Sequence, residues 1–452
     1  MIPRRLSEIA LAVAGRLEGP DAAIETVVTD SRTAARGSLF IALRGERLDG
    51  HAFVADAFAN GASAALVEGP VDGTAVVVGD TGRALLDLAA DERRRAAGAK
   101  VVGITGANGK TSTKDLAAAV LAQRFRTHAS PASFNNEVGL PMTLLGAPEG
   151  TEVIVAEMGA RREGDVALLC EVARPDVVVV TNVGLAHMEI FGSAEAIERA
   201  GAEPVLSLSE DEVAIVNADD AVVRSYGART RARVMTFGID AHADVRARDV
   251  RLDPEARATF TLEAGGDRET VELAVPGEHM VANALAAAAC GIALGMSAAE
   301  CAAALKGARV SAWRMERFTS PDGVLVVNDA YNANPESMAA GLKAARWVAR
   351  GRRLVAVLGH MAELGDISLE EHERLGELVV RVGVERLLTV GEPARAIARA
   401  ALREGLLPED VASYDDPDAA VADVRGWTRE GDVVLLKGSR VAGLERVAET
   451  LR

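Results

Sequence analysis

The stretch "VVGITGANGKTSTKD", Val101 to Asp115, constrains the fold more than any other part of the chain. An apolar run ends in a glycine-rich turn, and Gly109, Lys110 and Thr111 then open a segment of helical pattern. A strand that feeds a helix through such a turn offers backbone amides and the positive helix end to an anion. The loop comprises Gly106, Ala107, Asn108, Gly109, Lys110, Thr111 and Ser112. Lys110 reaches the outer phosphates of a nucleotide and Thr111 a magnesium ion. The spacing is shorter than in the commonest phosphate loop, which has a glycine where this chain has Ile104. The bland alternative, a plain glycine turn, leaves Lys110 without a role.

Further strand signals alternate with helical stretches along the chain. The clearest are 76–78, 101–105, 153–157, 177–181, 213–217, 354–358, 387–390 and 433–436. That alternation predicts an α/β protein with parallel sheets covered by helices. A chain of 452 residues exceeds one hydrophobic core, so several domains are expected. A helix over 84–97, closed by Gly98, leads into the loop strand and sets one boundary near residue 83. Between Ala243 and Pro276 short alternating segments read as hairpin strands on the middle domain. A second boundary follows the Ala-rich helices near residue 310, giving domains 1–83, 84–310 and 311–452.

Composition removes other classes of function. The formal charge of −16 argues against a nucleic-acid partner, because phosphate backbones are held by clustered Lys and Arg. The runs Arg93 to Arg95 and Arg350 to Arg353 read as solvated helix ends or loops, without stacking aromatics between them. Cys170, Cys290 and Cys301 have no paired or metal-ligand spacing, and the last two fall in Ala-rich helical stretches as small hydrophobes. The opening "MIPRRLSEIALAVAGRLEG" reads as an amphipathic helix rather than an export signal, which places the protein in the cytoplasm. Met280 to Ala299 lacks any charge over 20 residues, yet its Ala-rich text with Asn283, Gly291 and Gly295 predicts a buried helix and turn rather than a membrane span.

Two further strand ends carry polar residues. "VIVAEMGA" ends its strand at Glu157, and "VVVVTNVGLAHMEIFGS" does so at Thr181 and Asn182, with His187 just beyond. If both strands flank the loop strand, a carboxylate and an imidazole meet Lys110 and Thr111 on one rim, where ligands of open α/β sheets bind. Taken singly, a solvated Glu and a turn His serve as well; as a set after a phosphate loop they favour metal.

The phrases "GITGANGKTSTKD", "NNEVGLP", "EMGA", "TNVGLAHMEIFGS", "HMVANALAAAA" and "NDAYNANPESM" together resemble the Mur ligases of peptidoglycan synthesis. "TDSRTAARGSLFIALRGERLDGHAF", "VLGHMAELGD" and "DVVLLKGSR" extend the similarity over nearly the whole chain, toward the members that add D-Ala-D-Ala. The resemblance implies an N-terminal domain for the UDP end of the substrate, a central parallel-sheet ATPase domain and a C-terminal Rossmann-like domain. It implies an ATP- and Mg²⁺-dependent ligase. The γ-phosphate passes to the carboxylate of UDP-MurNAc-tripeptide, and the amine of D-Ala-D-Ala displaces it from the acyl phosphate. A monomer and a cytoplasmic role in cell wall synthesis go with it.

Residue by residue, the resemblance places Lys110, Glu157 and His187 at the chemistry, with Thr111, Glu157 and His187 on magnesium. It puts Asn283 at adenine, and Arg314 and Asp329 at the phosphate and ribose of ATP. Tyr331, Asn332 and Asn334 line the nucleotide and acceptor cleft, although a turn before Pro335 uses the same residue types. Ser31 and Arg32 are candidates for the UDP-sugar end, and Asn135, Asn136 and Glu137 for the muramoyl-peptide side.

The chain also departs from the family. Members usually carry a carbamylated lysine that helps place a second magnesium, and here that position is Gly201, with Glu203 a candidate replacement. His360 stands where Asp is common, and Val441 and Ala442 follow "KGSR" in place of Gly and Met. His360, Glu363 and His372 lack tight ligand spacing, and the last two read as a solvated helix face. Competing readings are another amide ligase of this fold, adding the third peptide residue or glutamates to folate, and a nucleotide-binding paralogue suggested by Gly201. A P-loop switch or motor is disfavoured by the loop spacing.

Overall fold

The computed structural model describes every residue except Glu46 and Ala186. The apolar runs become strands because they are buried on both faces: every residue of Val153–Glu157 and of Val177–Val180 is buried. They belong to a nine-stranded sheet in which Lys100–Thr105 lies between Val153–Glu157 and Val177–Val180. The flanking condition set by the sequence is therefore met. Val213–Asn217, Arg233–Gly238 and Val245–Leu252 continue the sheet in parallel, and Arg257–Ala264 and Asp267–Pro276 close its edge as antiparallel hairpins.

Lys110–Leu121, Met280–Ala293 and Ala298–Gly307 pack on one face of this sheet and share a core with it. The uncharged stretch is this second helix, a turn and the start of Ala298–Gly307. Its small residues allow close approach: a Cβ on Gly291 would lie 2.7 Å from Cys301 Sγ and 2.9 Å from Val120 Cγ1. Cys170, Cys290 and Cys301 are all free and buried, and burial pushes the Cys301 thiol up to about 12. Among the described residues no helix is long and apolar enough to cross a membrane.

Before and after the large sheet stand two smaller ones. The N-terminal region holds a five-stranded sheet in the order Arg16–Glu18, Ala75–Val77, Ala64–Val67, Ser38–Ile41, Thr26–Val28, parallel except for its first pair. The C-terminal region holds six strands in the order Glu316–Thr319, Leu325–Asp329, Val433–Lys437, Leu354–Gly359, Arg386–Val390, Val411–Tyr414, again parallel after the first pair.

Three local expectations are corrected. The opening helix spans only Leu6–Ala12, because Arg4–Arg5 pairs with Ala23–Ile24 and Arg16–Glu18 joins the five-stranded sheet. Arg93 is not solvated: it is 9% exposed, donates to Ala173 O at 2.9 Å and pairs with Asp176 at 3.1 Å, tying the helix Thr81–Arg95 to the large sheet. Arg353 pairs with Asp432 and lies 4.1 Å over the Trp427 ring, so that basic run does meet an aromatic.

Candidate active site

The loop between Lys100–Thr105 and Lys110–Leu121 is held open by its neighbours. Thr181 Oγ1 donates to Asn108 O at 2.6 Å, and Asn182 Oδ1 accepts from Asn108 N at 2.8 Å. Ala107 N donates to Asn182 O at 2.9 Å. Gly109 lies at φ 79° as the residue preceding the helix, and a Cβ there would sit 2.4 Å from Asn283 Oδ1. Among the described residues no side chain caps that helix, and Gly109, Lys110, Thr111 and Ser112 at its start line the cavity, where unpaired first-turn amides offer an anion site. Lys110 Nζ folds back onto Gly106 O at 2.6 Å and Ala107 O at 3.2 Å. Burial lowers its pKa, opposed by Glu157 and helped by Arg314.

Behind Lys110 lies a buried cluster. Thr111 Oγ1 spends its only proton on Glu157 Oε2 at 2.7 Å, so Ser133 Oγ, 2.9 Å away, donates to it. Arg314 Nη2 also donates to Thr111 Oγ1, at 2.7 Å. Asn135 Nδ2 donates to Glu157 Oε1 at 2.8 Å. Glu157 is 1% exposed, and among the described residues both its oxygens hydrogen-bond only to neutral donors. A buried carboxylate without a hydrogen-bonded cation suits a metal, and hydroxyl with carboxylate is the oxygen donor set magnesium takes. Thr111 and Glu157 thus offer the donor set for a magnesium ion, which would take the place of the Ser133 or Arg314 donor on the Thr111 hydroxyl.

Residues from the C-terminal sheet close the opposite wall. Arg314 is flanked by Trp313 at φ 62° and Met315 at φ 53°, both left-handed. Three contacts hold that conformation: Met315 N donates to Asp329 Oδ1 at 3.1 Å, Tyr331 N donates to Trp313 O at 3.3 Å, and the Arg314 guanidinium lies 4.2 Å over the Tyr331 ring. Arg314 Nε is buried without a partner among the described residues. Lys437, 3% exposed, donates from Nζ to Asp329 Oδ2 at 2.6 Å and to Asn332 O at 3.2 Å. Asn334 caps the helix Pro335–Ala349 and donates from Nδ2 to Asn108 Oδ1 at 2.8 Å, so it serves both the turn and the cleft. His187 Nδ1 meets the Glu363 carboxylate. Burial lowers the His187 pKa, opposed by Glu363.

These groups surround one cavity of about 980 Å³. The sequence-predicted residues that line it are Ala107 to Ser112, Asn135, Asn136, Glu137, Glu157, His187, Asn283, Arg314, Asp329, Tyr331, Asn332 and Asn334. Gly106, the first loop residue, does not line it, and Ser31 and Arg32 lie outside the cavity on a turn, where Arg32 pairs with Asp30 at 2.6 Å. Sequence reasoning missed Ser133, Lys437 and Glu363 as cavity residues; Lys437 had a signal in "DVVLLKGSR", directly at a strand end.

Models for three Mur ligase domains match the chain in order: the Mur ligase family catalytic domain at 23–96, the Mur ligase middle domain at 104–291 and the Mur ligase glutamate ligase domain at 313–440. A UDP-N-acetylmuramoyl-tripeptide–D-alanyl-D-alanine ligase of Mycobacterium tuberculosis H37Rv is 43% identical over 94% of this chain and 92% of its own. The chain belongs to the Mur ligase family. Ligases of the same name from Bacillus subtilis and Escherichia coli K12 are 36% and 34% identical to this Mur ligase, each over 100% of its chain and 99% of theirs. The crystal structure of MurF from Acinetobacter baumannii superposes with a TM-score of 0.89, at 32% identity over 99% of this chain and 98% of that one. MurF from Thermotoga maritima, solved with ADP, gives 0.81 at 30% identity over 94% and 97%.

The structure of this Mur ligase also accounts for Gly201. A Cβ there would lie 2.8 Å from Tyr226 Oη, which donates to Glu198 O at 2.8 Å. Tyr226 is 1% exposed and fills the space a longer side chain would need. Glu203 is not its replacement, because its carboxylate accepts from Gly164 N at 2.6 Å and Ala167 N at 3.0 Å at the start of the helix Asp165–Ala173. Gly201→Lys is therefore expected to lower the unfolding free energy by about 1–3 kcal/mol in a denaturant titration. A variant as stable as the parent would show that Tyr226 yields freely.

The reading of Glu363 and His372 as a solvated helix face is also corrected. His372 is fully buried: Met361 N donates to its Nε2 at 3.0 Å, and its Nδ1 donates to Ser368 O at 2.6 Å. Glu363 precedes the helix Ser368–Val382 and points to His187.

Proposed function

We propose that this chain joins D-alanyl-D-alanine to UDP-N-acetylmuramoyl-tripeptide, converting ATP to ADP and phosphate. The observation that carries this reading is the end-to-end match to ligases of that name. A peptide carboxylate attacks the γ-phosphorus and ADP leaves, giving an acyl phosphate. The dipeptide amine then attacks the acyl carbon, phosphate departs, and the amine loses a proton as the amide forms.

The first step brings like charges together, each pair repelling by about 4 kcal/mol at roughly 4 Å in an intermediate dielectric. Lys110 and the free amides of the helix Lys110–Leu121 offset that charge at the γ- and β-phosphates. Magnesium, when bound, supplies further positive charge against the phosphate oxygens. Thr111 and Glu157 would hold it, and His187 a second ion near the acceptor carboxylate. Asn283 reads adenine, Arg314 reaches phosphate, and Asp329, braced by Lys437, faces the ribose. Tyr331, Asn332 and Asn334 line the nucleotide and acceptor cleft. Asn135, Asn136 and Glu137 meet the muramoyl peptide, and Ser31 and Arg32 the UDP end. The same reading assigns residues 1–83, 84–310 and 311–452 to the UDP, ATP and closing domains of a cytoplasmic monomer that binds no nucleic acid.

Phosphate release from ATP tests this with the tripeptide alone and with D-alanyl-D-alanine added. Release that needs both, with a pentapeptide product by mass, is the expected outcome. A second reading, a nucleotide-binding relative with little turnover, is favoured by the Gly201 site that Tyr226 fills. ATP binding without product under these conditions would select it.

A further inference from the structure

Two left-handed residues meet at the cavity, one from a loop of the nine-stranded sheet and one from a loop of the six-stranded sheet. His187 lies at φ 60°, just before Met188–Phe191, and Glu363 at φ 61°, in the loop that follows Leu354–Gly359 of the six-stranded sheet. Non-glycine residues adopt this conformation at an energetic penalty, and it persists only where surrounding contacts hold it. Those contacts run between the two segments. The Glu363 carboxylate meets His187 Nδ1, and Glu363 O accepts from Glu189 N at 3.1 Å. Gly365, at φ 56°, lets the loop approach this closely, since a Cβ there would lie 3.1 Å from Glu189 Cα.

The chemistry of this pair is directional. An ionised carboxylate only accepts, so the proton in the contact sits on His187 Nδ1. A neutral imidazole protonated at Nδ1 has its lone pair on Nε2. A carboxylate behind a histidine fixes both ring orientation and tautomer in this way, and raises the basicity of the ligating nitrogen. His187 and Glu363 line the same cavity as Lys110 and Glu157.

We infer that Glu363 is a positioning residue: it holds His187 as the Nδ1–H tautomer, with Nε2 presented to a divalent cation. The inference rests on the proposal that His187 holds such an ion. Because Glu363 belongs to the C-terminal sheet's loops and His187 to the large sheet's, the cation site is complete only when these two regions are docked.

Manganese binding to the full chain, followed by electron paramagnetic resonance with a non-hydrolysable ATP analogue and the UDP-tripeptide, tests this with Glu363→Leu and Glu363→Gln. Glu363→Leu is expected to weaken the histidine-dependent manganese site by about 10- to 100-fold. Glu363→Gln, which keeps an accepting oxygen, recovers part of that loss. In nitrogen-15 histidine spectra of the metal-free protein, the His187 Nδ1–H form gives way to a tautomer mixture in Glu363→Leu. Should that variant fold poorly, the same spectrum of Glu363→Gln decides. His187→Ala separates the two claims: if it weakens manganese binding while the Glu363 variants alter neither binding nor tautomer, the inference is overturned and the ion stays at His187. If His187→Ala leaves manganese binding intact, the ion is not at His187 and both fall.

Discussion

Lys110→Ala lowers the rate of tripeptide-dependent phosphate release by about 10³-fold, at the upper end for loss of one donor aimed at developing charge. The reason is geometric. Lys110 Nζ now rests on Gly106 O and Ala107 O, inside the loop and on the cavity side, a short swing from where an outer phosphate would sit. Glu157 favours its charge and Arg314 opposes it, so both groups lie close enough to act on the Lys110 ammonium. Alanine removes the charge and leaves the loop backbone, which Thr181 and Asn182 hold. Binding of the UDP-tripeptide is expected to be unchanged by calorimetry. Phosphate release above a tenth of the parent rate would remove Lys110 from the phosphate site.

Gly106→Ala damages the loop itself. Gly106 lies at φ 134°, where L side chains rarely sit, and its Cβ would be 2.1 Å from Thr181 Oγ1 and 3.0 Å from Asn182 N. Both partners are backbone or branched side chain and cannot swing aside, and Thr181 Oγ1 is committed to Asn108 O. Strain of roughly 1–3 kcal/mol is expected there. If it is relieved by moving the loop, ADP affinity falls by about 10- to 100-fold at 1.4 kcal/mol per decade. Calorimetric titration reads that loss, with Gly307→Ala as control, since a Cβ at Gly307 meets nothing within 4 Å. Equal ADP affinity in Gly106→Ala and the parent would mean that this loop does not hold the phosphates.

The eight strands read from the sequence lie within a residue or two of those in the fold, because each is an apolar run sandwiched between helices. The short strands of the N-terminal region were not legible. Arg4–Arg5, Ala23–Ile24 and Thr26–Val28 are two or three residues long and carry no periodicity of their own; pairing makes them strands. The site divides along the same line. Glu157 could be placed because it ends an apolar strand, and Lys110 and Thr111 because they open the helix that the glycine loop joins to the neighbouring strand; both features project onto the rim of the sheet. Ser133 and Glu363 sit in loops, where their residue types serve turns equally well.

The sequence by itself determined the α/β class, the phosphate loop and the family, since these rest on local spacing and on the order of motifs along the chain. Tertiary structure alone decided which polar groups meet. Thr111 and Arg314 are joined by a hydrogen bond across 203 positions, and His187 and Glu363 across 176. It also decided that Tyr226 occupies the space at Gly201 and that Glu203 caps a neighbouring helix. The physical reason is that such contacts arise where separate sheets and helices pack, and no local pattern records which side chain will arrive from the far end of the chain.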